Sequence, residues 1–272
     1  MLRRSFRAMG TDIELLLDAP AGARAEAALD RAEAEFERLE QVMSRFREGS
    51  ELSQLNREGR TSAASPDLVH VVELALEARE ATGGLFDPTV HDAVVAAGYD
   101  RTFDDVPAEG AAAEAGSCGG GVQVDGTSIV LEAGTRLDLG GIGKGYAVDR
   151  VCELLAVAGP CLVNAGGDLA VRGGSWPVGV SAEITLELTR GAIATSGRDR
   201  RRWRRGGGEM HHLIDPSTGR PAAGELLRVT VVADTATDAE VLANAAFLGA
   251  EIDAPRVLVG SDGCTVLAGG LA

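Results

Sequence analysis

Nothing in this sequence approaches the run of about 18 apolar residues that a membrane-spanning helix requires. The chain starts Met1-Leu2-Arg3-Arg4-Ser5-Phe6-Arg7 with no apolar h-region ahead of it, so the expectation is a cytoplasmic protein with neither signal peptide nor membrane anchor. Cysteine is sparse. Cys118, Cys152, Cys161 and Cys264 form no CxxC pair, which argues against a zinc site or a disulfide framework and for buried free thiols in a reducing compartment. Positive charge is also short: 26 Lys and Arg against 41 Asp and Glu give a net charge of −15. That balance excludes a nucleic-acid partner on bulk electrostatics, because phosphate contact needs positive charge. Internal repeats, heptads and a clean linker are all absent.

Apolar residues, at 45% of 272, are ample for one large domain or two small ones, and without a linker a single domain over residues 1–272 is expected. Residues 12–18 alternate as a strand. Residues 22–43 carry Ala27, Ala28, Ala32, Phe36, Leu39 and Met43 at helical spacing. A loop and short helix follow over 44–56. Ser65 and Pro66 open the next helix, and Thr82-Gly83-Gly84 stops it. Residues 105–121, rich in Ala, Gly and acids, read as a loop or insertion. Short strands surround Asp125-Gly126, residues 137–159 read strand, glycine turn, helix, and 161–173 read strand, turn, strand. More short strands run to residue 233, a helix covers 238–249, and two strands close the chain. Helices and strands mix without a βαβ repeat, so the predicted class is α+β with mixed or antiparallel sheets and flanking helices.

Three glycine-bearing turns carry chemistry. In Leu137-Asp138-Leu139-Gly140-Gly141-Ile142-Gly143-Lys144-Gly145 a strand delivers Asp138, and a helix beginning near Tyr146 offers its N-terminus and Lys144 to an anion. The spacing fits no P-loop, since Gly145 follows Lys144. Asn164-Ala165-Gly166-Gly167-Asp168 is either a plain hairpin or a site element. His211-His212-Leu213-Ile214-Asp215-Pro216 ends a strand in a polar turn, where a histidine serves as a general base. The basic run 198–205 reads either as a solvated face or as a patch that meets phosphates, with Arg198 and Arg200 as its candidate ligands.

Seven motifs in order resemble the ApbE family: Ala8-Met9-Gly10-Thr11; Met43-Ser44-Arg45-Phe46-Arg47 with Ser50-Glu51-Leu52 and Leu55-Asn56; Thr82 to Val90; Asp138 to Asp149; Val163 to Asp168; Ala194-Thr195-Ser196-Gly197; and His212 to Pro221. The resemblance implies a single α+β domain with an FAD cleft. It implies Mg²⁺-dependent transfer of FMN from FAD to a threonine of a target flavoprotein, with AMP released. Some relatives instead hydrolyse FAD to FMN and AMP. Carried over motif by motif, Met9, Phe46, Leu85, Phe86, Asp87, Asp138, Lys144, Asp168 and Ser196 would meet the FAD, and His212 would deprotonate the threonine. The Gly141 carbonyl would reach the metal.

The chain departs from the family on the metal helix, where Glu240 and Asn244 stand for the usual Asp and Thr. The i, i+4 spacing keeps both on one face and both offer hard oxygen, so a Mg²⁺ set of Gly141, Glu240 and Asn244 is expected. A flavin binder with disabled chemistry is the competing reading. Phe46, in place of a frequent Tyr, keeps ring stacking and loses a hydroxyl.

Overall fold

The computed structural model describes residues 1–112, 114–181 and 184–271; Ala113, within the expected loop, lies outside them. Strand pairing starts at the N-terminus. Leu2–Ala8 pairs antiparallel with Thr11–Leu17 from Leu2↔Leu17 to Ala8↔Thr11. Only Met9 and Gly10 remain for the turn, and both have positive φ, 50° and 69°. Two consecutive left-handed residues make the tight hairpin turn that matches strand twist. Glycine tolerates this and methionine does not favour it, so Met9 is held out of its preferred backbone region by the hairpin it closes.

The same logic repeats along the chain. Cys161–Ala165 pairs with Asp168–Gly179 across Gly166 and Gly167, again both at positive φ (66° and 117°). Thr185–Gly197, Leu226–Ala233, Arg256–Gly260 and Thr265–Ala268 follow. Among the described residues these eight strands form one sheet in chain order, with every neighbouring pair antiparallel.

The described residues also form six α-helices, of which the first, fifth and sixth pack on this sheet. They are α1 (Ala23–Met43), α2 (Glu51–Glu58), α3 (Pro66–Ala81), α4 (His91–Ala96), α5 (Gly143–Ala156) and α6 (Ala236–Phe247). The apolar stripe of α1 buries Ala28, Ala32, Phe36, Leu39 and Met43 in one cluster with Ile13, Leu15 and Leu17 of the sheet and Val148, Val151 and Leu155 of α5. Ser65 caps α3, its hydroxyl accepting the Leu68 N–H at 3.3 Å with Pro66 in the first turn, and Thr235 caps α6 through the Asp238 N–H at 3.0 Å.

The architecture is the expected α+β domain with antiparallel sheets, and several local expectations need correcting. Residues 137–139 belong to no strand. The Leu137 N–H and carbonyl are both taken by the Asn56 side chain, at 2.7 and 2.8 Å, which replaces a partner strand. Helix α5 starts at Gly143, ahead of Tyr146. The strand Leu2–Ala8 and helix α4 were not anticipated, and two strands expected to be short run 12 and 13 residues. Cys152 and Cys161 are buried free thiols as expected, but Cys264 is exposed.

Candidate active site

A cleft of about 1200 Å³ opens where the Met9-Gly10 turn, the Gly166-Gly167 turn, the N-terminus of α5 and one face of α6 meet. Every residue anticipated for cofactor, base or metal reaches its wall: Met9, Phe46, Leu85, Phe86, Asp87, Asp138, Gly141, Lys144, Asp168, Ser196, His212, Glu240 and Asn244. Segments more than two hundred residues apart in the chain thereby share one cavity.

Its floor is the junction of α5 with α6. Gly145 lies so close to the start of α6 that an added Cβ would stand 2.7 Å from the Ala236 carbonyl carbon and 2.8 Å from the Thr237 nitrogen, closer still to the Ala236 oxygen. Only glycine permits that approach. Asp149, one turn further on, accepts the Ala236 and Thr237 N–H groups at 2.8 and 2.9 Å and the Thr237 hydroxyl at 2.7 Å, pinning the start of α6 to α5. The buried Glu240 carboxylate then accepts the Gly145 N–H at 2.8 Å on one oxygen and the Lys144 ammonium on the other. Lys144 also pairs with Asp168, which leads out of the Gly166-Gly167 turn.

Two buried carboxylates therefore face one ammonium. Burial pushes the Glu240 carboxyl up to about 7 against the pull of Lys144. Burial alone would lower Lys144, but Asp168 and Glu240 outweigh it and hold it above its ordinary value, so it stays charged. Beside this cluster Gly141 and Asn244 nearly touch: a Cβ on Gly141 would meet the Asn244 amide and the Phe86 ring at 3.1 Å each. Backbone carbonyl, carboxylate and amide are the kinds of hard-oxygen donor magnesium takes, so the donor chemistry fits the ion the resemblance implies, with both Glu240 oxygens here taken by the Gly145 N–H and the Lys144 ammonium. Among the described residues, no group of three or more His, Cys, Asp and Glu gathers as a metal site, and the expected set contains only one such residue.

The opposite wall holds a residue not anticipated as functional. Arg45 is buried, pairs with Asp138 through Nε at 2.9 Å, and donates to the Tyr99 carbonyl at 2.8 Å. Its guanidinium lies 4.1 Å from the Phe46 ring centroid and 4.5 Å from that of Tyr99. One face of Phe46 is thus covered by Arg45. Asp138 uses its second oxygen on the Gly140 N–H at 2.7 Å. The sequence signal was present, since Arg45 sits inside the Met43–Arg47 motif, but only the fold pairs it with Asp138. Asp87 is likewise held within its own loop, accepting the Thr89 N–H and hydroxyl at 2.8 and 2.7 Å.

The two adjacent histidines divide. His211 is anchored by the Ala222 carbonyl at 3.0 Å and packs edge-on against Phe247. His212 faces the cleft, its Nδ1 buried without a partner. Burial, reinforced by the positive charges of Arg201, Lys144 and Arg45, holds its imidazole well below the ordinary value of 6.5. A neutral imidazole can accept a proton on its unprotonated ring nitrogen.

The basic run also divides. Trp203 is buried and donates to the Ala97 carbonyl at 2.7 Å, and Arg205 reaches the Pro107 and Gly98 carbonyls at 3.0 and 3.2 Å, so this half braces the segment after α4. Arg200 and Arg201 line the cleft, while Arg198 turns away to the Gly224 carbonyl at 2.9 Å.

The motif order agrees with comparison to known proteins. A profile of the ApbE family matches residues 9–267. The chain belongs to the ApbE family. A curated FAD:protein FMN transferase from Treponema pallidum is 30% identical over 263 residues, covering 83% of this chain and 72% of that protein. Another from Klebsiella pneumoniae is 28% identical over 246 residues, covering 80% and 70%. The crystal structure of the ApbE protein of Thermotoga maritima superposes with a TM-score of 0.86 at 24% identity, covering 98% of this chain and 96% of that one, which establishes the ApbE fold here. Among the described residues, no helix is long and apolar enough to cross a membrane.

Proposed function

We propose that this ApbE-family chain transfers FMN from FAD to a threonine hydroxyl of a target flavoprotein and releases AMP. The observation that carries the reading is His212: a histidine kept neutral by burial, facing the same cleft as Lys144 and the Gly141, Glu240 and Asn244 oxygen donors. The threonine oxygen forms a bond to the FMN phosphorus, the bridging P–O bond of the pyrophosphate breaks with its electrons going to AMP, and the hydroxyl proton passes to a ring nitrogen of His212. A hydroxyl is a poor nucleophile at neutral pH, so this base is required. Met9, Phe46, Leu85 and Phe86 supply apolar surface to the ring systems, with Asp87, Asp138, Asp168 and Ser196 beside the polar groups. Lys144, fixed between Asp168 and Glu240, sits beside the cofactor's polar groups. Mg²⁺, held by the Gly141 carbonyl, Glu240 and Asn244, would neutralise phosphate charge when bound.

Mass spectrometry of purified protein mixed with FAD and Mg²⁺, with and without a threonine-bearing acceptor domain, tests this. A gain of one FMN on the acceptor with AMP released is expected. FMN and AMP formed with the acceptor untouched would replace transfer by hydrolysis. Intact FAD throughout would leave a flavin binder.

A further inference from the structure

Six arginines line the cleft: Arg3, Arg7, Arg45, Arg200, Arg201 and Arg228. Four are held by carboxylates, Arg3 by Glu14, Arg7 by Asp104, Arg45 by Asp138 and Arg228 by Asp199. Arg200 and Arg201 are not: among the described residues no carboxylate lies within ion-pair distance of either, although acidic residues outnumber basic ones 41 to 26. Each instead donates one N–H to a backbone carbonyl, Arg200 to Gly166 at 3.1 Å and Arg201 to Gly10 at 3.2 Å. A guanidinium has five N–H donors in a planar fork, so one carbonyl leaves the fork able to meet a further acceptor.

Those two carbonyls belong to the two tight turns that frame the cleft. Arg198 reaches Gly224, and Asp199 pairs with Arg228 at 2.6 Å. Four consecutive side chains therefore tie residues 198–201 to four separate points, two of them the turns that frame the cleft. Exposed carbonyl contacts of this kind add little stability, so the arrangement is better explained by a ligand. Lys144 cannot serve as the spare positive charge, since its ammonium already lies between two carboxylates.

We propose that Arg200 and Arg201 are the anion-binding side chains of the cleft, that they take the pyrophosphate of a nucleotide substrate, and that their clasp on the Gly10 and Gly166 turns holds them in position for it. The inference rests on the FAD reading above. Planar forks suit phosphate oxygens. Arg200, Arg201 and His212 all line this cleft. Arg198, expected from sequence to share this task, is excluded by its direction.

The test is calorimetric titration of FAD, ADP and riboflavin into wild type, Arg200→Gln, Arg201→Gln, the double variant and Arg198→Gln. FAD and ADP should weaken by about tenfold per cleft arginine. Riboflavin, which has no phosphate, should bind unchanged, and Arg198→Gln should match wild type. Arg201→Lys, keeping charge but not the fork, should fall between. A double variant that binds FAD within about twofold of wild type, or one that loses riboflavin by the same factor as FAD, overturns the inference while leaving the FAD reading intact. A wild type that binds neither FAD nor ADP overturns both.

Discussion

Gly145→Ala tests the junction on which the site is built, because its sign is diagnostic. In an ordinary helix interior the change stabilises by about 1 kcal/mol. Here the new methyl would stand 2.7 Å from the Ala236 carbonyl carbon and 2.8 Å from the Thr237 nitrogen, both backbone, with the Ala236 oxygen nearer still. A carbon needs about 3.5 Å from such atoms, so α5 and α6 must separate. Overpacking of this kind costs roughly 1–3 kcal/mol, and separation also stretches the Gly145 N–H to Glu240 bond, about another 1.5 kcal/mol for a charged acceptor. After the helix-propensity gain, a net loss of about 2 kcal/mol is expected. Urea unfolding followed by Trp176 and Trp203 fluorescence reads it; with a slope of about 3 kcal/mol/M the midpoint should fall by about 0.7 M. FAD affinity should fall too, as Lys144 and Glu240 move apart. A variant as stable as wild type, or more stable, would refute the account of this junction.

His212→Ala should lower transfer by about a hundredfold or more with FAD affinity preserved, read by comparing turnover with titration; equal losses in both would assign His212 to binding. Because His212 is held well below 6.5, the acid limb of its activity profile should lie below that value, and a limb at or above it would sink the assignment. The same shift sets a stability trend: below pH 6.5 the unfolded chain takes up a proton the native site refuses, so stability should fall as pH drops, by up to about 1.4 kcal/mol per pH unit for this group. Arg45→Met should cost about 3–5 kcal/mol by stranding Asp138, and pairing it with Asp138→Asn should recover part of that in a double-mutant cycle; strict additivity would deny the coupling. Asn244→Ala should raise the Mg²⁺ concentration giving half-maximal transfer, measured after chelation and readdition, and an unchanged requirement would remove Asn244 from the ligand set.

Much of the site was legible in the residues because its parts are local. Gly166-Gly167 makes a turn wherever strands flank it, Ser65-Pro66 opens a helix by its own hydroxyl and ring, and the i, i+4 spacing of Glu240 and Asn244 places both on one face of any helix. The expected strand at 137–139 failed because Leu137 bonds the Asn56 side chain, some eighty residues away, and the Asp138 N–H goes to the Pro88 carbonyl. The basic run could not be divided from sequence, since one arginine bonding a turn and the next bonding a loop have the same local pattern.

What the sequence by itself determined was the kind of fold, the order of its motifs and the side chains available for chemistry, since propensity, turn residues and periodicity act over a few residues. The tertiary structure alone decided how those side chains are used. It set Lys144 between Asp168 and Glu240, gave Asp138 to Arg45, separated His212 from His211, and left Arg200 and Arg201 with no carboxylate in ion-pair reach among the described residues. Charge pairing and burial depend on distances between segments far apart in the chain, and those distances exist only after the sheet and helices have packed.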